Sequence, residues 1–214
     1  MTLRLGVLGG TFDPIHIGHL LIGEVLGDEL SLDLVLIAPA GSPPHKPSNP
    51  ISAPYHRLRM AELAVTENPR FRASAIDIAF PGHSYTADLL ARIRAEHSDA
   101  DLFFLMGADS LRELPTWNRP LKIVQLARIA VAQRPGTGTA VEPVFQRLPN
   151  LRGRVHLSVA PGIEISSSEI RARASQRKSI RYVTPESVRQ YIHDQGLYGT
   201  INNRSVEERS NSSR

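Results

Sequence analysis

Gly9-Gly10-Thr11-Phe12-Asp13-Pro14-Ile15-His16-Ile17-Gly18-His19 follows a short apolar run over residues 3–8 and opens a segment with helical spacing, through Leu20, Leu21, Glu24, Val25 and Asp28. The first run reads as a strand and the second as an amphipathic helix. The glycine-bearing stretch between them is therefore the turn of a strand–loop–helix unit.

The same alternation continues down the chain. Further strands are predicted over residues 32–38, 75–80, 102–106, 129–132 and 155–159, with helical spacing around Leu58, Leu63 and Ala64 and again around Leu89, Leu90 and Ile93. Strands alternating with helices imply a parallel sheet covered on both faces, and right-handed crossovers make it a doubly wound α/β sheet. Ligands of such sheets bind beyond the carboxyl ends of the strands. Attention falls on three loops there, residues 9–19, 39–47 and 107–117. After Ser166 the pattern turns helical: Ser166-Ser167-Ser168-Glu169 has capping-box spacing with Ser166 as N-cap, and Thr184-Pro185 suggests a helix with Pro185 in its first turn. The expected organisation is one domain over residues 1–199, with 166–199 a small helical C-terminal part. Residues 200–214, rich in Asn, Arg, Ser and Glu, read as a disordered tail.

Composition narrows the chemistry. The 214 residues are 41% hydrophobic and 21% charged, enough apolar material for a core, and the net charge of +4 favours anionic ligands without selecting nucleic acid. With no cysteine, disulfides, thiolate metal sites and cysteine nucleophiles are excluded. The run at residues 3–8 is too short for a signal segment and no 18 apolar residues stand together, so the expectation is a cytoplasmic protein without a membrane span.

The opening loop has the makings of a phosphate site. Glycines allow close backbone approach, and the helix start offers N–H groups to an anion. It is neither GxGxxG nor GxxxxGK[ST], which leaves both the dehydrogenase fingerprint and the P-loop unsupported. His16 and His19, three residues apart, project from one side of the first helical turn and can donate to phosphate oxygens. A polyphosphate favours their protonated forms, against the helix dipole. One histidine capping the loop with the other exposed, or a zinc pair, are the alternatives.

The His-Ile-Gly-His tetrad within Gly-Gly-Thr-Phe-Asp-Pro resembles the HxGH nucleotidyltransferase superfamily. The tetrad also occurs in class I aminoacyl-tRNA synthetases, whose length and lysine-rich second motif are absent here. Pro43-Pro44-His45-Lys46, Ser84-Tyr85-Thr86-Ala87-Asp88-Leu89, Gly107-Ala108-Asp109-Ser110, Pro115-Thr116-Trp117, Arg134-Pro135-Gly136 and Ile165-Ser166-Ser167-Ser168-Glu169-Ile170-Arg171 follow in order. Together, across residues 3–199, these resemble the bacterial nicotinate-nucleotide adenylyltransferases. Ser168, where threonine is frequent, and Asn118, where an aromatic is common, depart from that pattern.

The resemblance implies a Rossmann-like nucleotidyltransferase fold joining ATP to nicotinic acid mononucleotide, with Mg²⁺ arriving on ATP and held mainly through its phosphates. His16 and His19 would be catalytic. Gly9, Gly10, Thr11, Phe12, Lys46, Asp109, Arg134, Ser166, Ser167 and Arg171 would bind ATP and its phosphates. His45, Tyr85, Thr86 and Trp117 would bind the nicotinate nucleotide, Trp117 from a largely exposed loop position. Asp13 is expected to fix the loop, with contact to a metal-bound water as the alternative. No protein metal cage, nucleic acid or membrane partner is expected, and a homo-oligomer stays open. A non-catalytic RNA-binding module is the competing class, resting on the basic stretch from Arg171 to Arg181, which lacks interleaved aromatics.

Overall fold

The computed structural model describes residues 2–43, 51–136 and 141–200. Six strands, β1 (Arg4–Gly10), β2 (Leu34–Pro39), β3 (Phe71–Ala73), β4 (Asp101–Gly107), β5 (Arg128–Gln133) and β6 (Val155–Val159), form one sheet in the order β3-β2-β1-β4-β5-β6. Every pairing is parallel, with Leu5 opposite both Leu34 and Leu102. The expected doubly wound α/β sheet is present, and its order reverses between β1 and β4, where a crevice opens between diverging connections.

Among the described residues, eight α-helices accompany the strands: α1 (Ile17–Glu29), α2 (Pro54–Val65), α3 (Thr86–Glu96), α4 (Ala108–Glu113), α5 (Pro120–Leu126), α6 (Glu142–Arg147), α7 (Ser167–Ser175) and α8 (Glu186–Asp194). Strand side chains alternate between two cores. Leu102, Phe104 and Met106 of β4 join Leu90 of α3 and Ile123 of α5 on one face. Phe103 and Leu105 join Leu26 of α1, Met60 of α2 and Ile192 of α8 on the other. That period of two, with both faces covered, is why the central strands read as continuous apolar runs. Helix α1 lies close to the sheet because Gly23 has no side chain; a Cβ there would meet the Phe71 ring at 2.5 Å.

Several expectations need correction. Residues 75–80 are not a strand: 76–79 form a turn closed by Ala79 N–H donating to the Ala75 carbonyl, and the strand is β3, a few residues earlier, paired with Val35–Ile37 of β2. Strand β1 runs on through Gly9 and Gly10, which pair with Ala38 and Pro39 instead of forming a loop. Residues 107–117 are mostly helical, holding α4 and a 3₁₀ turn at Leu114–Thr116. Pro185 precedes α8 as its N-cap and is not within its first turn. Ser166 caps α7 as read, its Oγ accepting from Glu169 N–H at 3.1 Å. His45 and Lys46 lie outside the described residues, as does residues 201–214 of the tail.

Candidate active site

The crevice at the sheet reversal is a cleft of about 620 Å³. It gathers Gly9 and Gly10 from the end of β1, His16 and His19 from the start of α1, Asp109 and Trp117 from the segment after β4, Arg134 after β5, and Ser166, Ser167 and Arg171 from α7. Residues from four stretches of sequence thus meet because each follows a strand, or opens a helix, at the same edge of the sheet.

His16 is the N-cap residue of α1 and is only 6% exposed. Its ring stacks on that of His19 with centroids 3.6 Å apart. Burial lowers its pKa to about 4, so without a ligand it is neutral at pH 7, and its buried Nδ1 has no hydrogen-bond partner among the described residues. The His16 backbone N–H donates to His19 Nδ1 at 3.3 Å. An imidazole nitrogen that accepts carries no hydrogen, so neutral His19 holds its proton on Nε2. The pair is therefore a fixed unit. Gly18 makes room for it: a Cβ there would lie 3.1 Å from the His16 ring.

Phe12 and Thr11 sit behind the cleft. The Phe12 ring is 2% exposed, joins the core and meets His19 edge-on at 4.9 Å. It fills the space a Cβ on Gly10 would need, 3.0 Å away. Gly10 is thus bare partly to seat Phe12, a different reason from the ligand approach expected of it. Phe12 offers no side-chain surface to a ligand. Thr11 turns its carbonyl to Arg57 and does not line the cleft.

The loop from Asp13 to Ile17 is held from behind by the C-terminal part of the chain. Arg171 Nη1 donates to the Asp13 carbonyl at 2.7 Å, Ser167 Oγ to that of Pro14 at 2.9 Å, and Thr184 Oγ1 to that of Ile15 at 2.9 Å. Ile17 N–H donates to Val183 O at 3.1 Å. The Asp13 carboxylate, 2% exposed, accepts from Tyr198 O–H at 2.6 Å and from Ser52 N–H at 3.2 Å. Burial beside this anion pushes the Tyr198 phenol far above its ordinary range. Asp13 fixes the loop, as expected. Ser167 and Arg171 are committed to loop carbonyls and at the same time line the cleft.

The acceptor-side candidates are less tightly gathered. Trp117 lines the cleft, but it is half-buried, not largely exposed: its ring sits edge-on to Phe104 at 6.1 Å. Tyr85 is the N-cap of α3 and Thr86 its first residue, both half-buried and neither lining the cleft. Arg119 Nη2 donates to Asp88 Oδ2 at 2.5 Å, which ties the Trp117 segment to the first turn of α3. Asp109 is exposed and pairs with Arg112, while Arg134 pairs with Glu164 at 3.5 Å.

Sequence reading missed Arg112, which lines the cleft three residues after Asp109 on α4, and Arg57. The signal for Arg57 was available: it falls with Met60, Ala61 and Val65 on the buried stripe of α2, where an arginine is out of place. The basic stretch from Arg171 is partly spent internally, Arg173 donating through Nε and Nη2 to Ser179 O.

The cytidylyltransferase-like family matches residues 7–173. The chain is 50% identical over 198 residues to a probable nicotinate-nucleotide adenylyltransferase of Thermomicrobium roseum, covering 92% of each protein. It is 44% identical over 194 residues to one of Roseiflexus sp., covering 91% of this chain and 97% of that protein. Among solved structures it resembles the Plasmodium falciparum nicotinic acid mononucleotide adenylyltransferase complexed with NaAD. That likeness has a TM-score of 0.75, at 18% identity, over 93% of this chain and 98% of the other.

Proposed function

The chain belongs to the nicotinate-nucleotide adenylyltransferases of the cytidylyltransferase-like family, and from that premise we propose that it adenylylates nicotinic acid mononucleotide with ATP. The products are nicotinic acid adenine dinucleotide and pyrophosphate, in NAD biosynthesis. The observation that carries the reading is the stacked histidine pair lining a cleft on the sheet reversal, in a chain half identical to a relative of that name.

A phosphate oxygen of the mononucleotide attacks the α-phosphorus of ATP. The new phosphorus–oxygen bond forms as the bond from the α-phosphorus to the bridging oxygen breaks, and the electron pair leaves on pyrophosphate. The nucleophile is already an anion at pH 7, so no strong general base is required, and catalysis rests on alignment and charge neutralisation. His19 Nε2–H would donate to the triphosphate. His16, neutral until a polyanion offsets its burial, would take a proton or donate as the phosphates enter beside it. Arg134, Arg171 and the first turn of α7 would add positive potential where pyrophosphate departs. Gly9 and Gly10 would line the path with backbone, Asp109 would accept from a ribose hydroxyl, and Trp117 would face the cationic pyridinium ring. Tyr85 and Thr86, at a helix start, would serve its carboxylate.

Mg²⁺ fits as a nucleotide-borne ion. Asp109 is the only carboxylate among the described lining residues, and among the described residues no group of three or more His, Cys, Asp or Glu side chains is placed to hold a metal ion. Phosphates and water would hold the cation, which screens charge on the triphosphate when bound. A cytoplasmic reaction is part of the proposal, since both substrates are polyanions that do not cross a bilayer unaided. Among the described residues no helix is long and apolar enough to cross a membrane.

Pyrophosphate release from Mg·ATP, with nicotinic acid or nicotinamide mononucleotide as acceptor, tests the reading in wild type and His19→Ala. Turnover with the acid form, abolished in the variant, is expected. Turnover with the amide alone would overturn the acceptor, and none with either, from folded ATP-binding protein, would overturn the reaction.

A further inference from the structure

Arg57 is 1% exposed, yet among the described residues none of its hydrogen bonds goes to a carboxylate. All four end on backbone carbonyls. Nη1 donates to Thr11 O at 2.9 Å and Ala40 O at 2.5 Å, Nη2 to Gly41 O at 2.9 Å, and Nε to Ser52 O at 3.0 Å. These carbonyls belong to three segments: the loop after β1, the loop after β2, and the run into α2.

The place of this guanidinium gives it meaning. The β1–β2 ladder ends at Gly10 and Pro39, followed by one more bond from Ala40 N–H to Gly10 O. Beyond that point nothing in the sheet fixes how far apart the two loops stand. Arg57 takes over where the ladder stops, joining Thr11 on one side to Ala40 and Gly41 on the other. Burial lowers its pKa, and Asp13 and Asp77 offset only part of that. Asp77 is itself engaged, accepting from Arg92 at 2.8 Å and from Gly41 N–H at 3.3 Å. Arg57 does not line the cleft.

We propose that Arg57 is a positioning residue for adenylyl transfer: it sets the spacing between the loop leading to His16 and the loop after β2, and touches neither substrate. The inference rests on the adenylyltransferase reading. A planar fork serves carbonyls in several directions at once, and a lysine ammonium on a flexible stem cannot hold the same set. Because no ligand contact is removed, loss of the fork acts on alignment more than on affinity, and displacements near 1 Å lower rates by up to about 10²-fold.

The test is Arg57→Lys, assayed as kcat per ATP-binding site counted by titration, with KM for both substrates and amide hydrogen exchange on the same protein. We expect kcat per site to fall at least tenfold on that scale, with both KM values within about threefold. Exchange should quicken at residues 11–13 and 40–42 and stay unchanged in β4 and β5. Unchanged kcat per site, or exchange quickened evenly through β4 and β5, would overturn the proposal, the latter marking a purely structural arginine. Should the lysine variant not fold, Arg57→Gln, which buries no charge and keeps an amide donor, goes through the same assays with the same expectation. Wild-type turnover decides the functional reading separately; were it absent, the exchange pattern alone would decide whether Arg57 holds the two loops.

Discussion

A methyl group added at Gly18 would stand 3.1 Å from both Cε1 and Nδ1 of His16. Carbon contacts are comfortable at roughly 3.5–4.0 Å, so the imidazole must retreat by roughly 0.5 Å. It has little room to do so, being 6% exposed and stacked on His19 with centroids 3.6 Å apart. If a 1 Å misplacement of a catalytic group lowers the rate by about 10²-fold, half that distance corresponds to roughly tenfold. Stability should move the other way. Gly18 lies in the first turn of α1, and alanine is favoured over glycine in helices by up to about 1 kcal/mol, which raises Tm by roughly 2–4 °C in a chain of this size. Gly18→Ala should therefore show kcat reduced about tenfold with Tm unchanged or slightly raised, read from pyrophosphate release and a thermal melt on one preparation. Unchanged kcat would refute the idea that the His16 ring position governs the rate. A Tm lowered by several degrees would refute the claim that the damage is confined to the ring.

Three further outcomes follow from the same contacts. The His16 pKa falls from 6.5 unfolded to about 4 folded, so only the unfolded chain takes up this proton between those values. Its stabilising contribution is whole above pH 6.5 and declines as pH falls towards 4, by about 3 kcal/mol at most from a shift of about 2.5 units; His16→Gln should lose less stability than wild type across that window in urea titrations. Tyr198→Phe removes a donor to the buried Asp13 carboxylate, worth about 2 kcal/mol, and Tm should drop by roughly 4–8 °C; a shift under 1 °C would mean the Asp13 oxygen finds another partner. Trp117→Ala should weaken binding of the pyridine mononucleotide by about tenfold in calorimetry and leave ATP binding unchanged; equal weakening of both would place the ring on the adenine side.

The two kinds of legibility in this chain separate along physical lines. Long central strands were readable because burial on both faces demands unbroken apolar runs, as in β4 and β5. Helix α3 was readable because Leu89, Leu90 and Ile93 repeat on its buried face, whereas α1 buries Gly23, Leu26 and Gly27 and leaves Leu20, Leu21 and Val25, which marked it in the sequence, only half-buried. Short elements were not. Helices α4, α5 and α6, of six or seven residues, are too brief to establish a period. For β3, the apolar run at residues 75–80 misled, since pairing with Val35–Ile37 selects Phe71–Ala73 instead.

For the site, the sequence by itself determined the chemistry on offer: two histidines at helical spacing after a strand, a capped helix start at Ser166, and a tryptophan after the fourth strand. Local spacing suffices for these, because a helix turn brings residues three apart together whatever surrounds it. Only the tertiary structure decided that His16 is buried and neutral, that Phe12 seats behind Gly10, that residues 167–198 brace the loop from Asp13 to Ile17, and that Arg57 spans the loops after β1 and β2. The brace and the arginine link join residues 16 to 185 apart in the chain, and the state of His16 and the seat of Phe12 depend on packing that excludes water. An arginine on an apolar stripe can mark a buried charge, as at Arg57, but which partners it meets across the fold leaves no mark on the order of the residues.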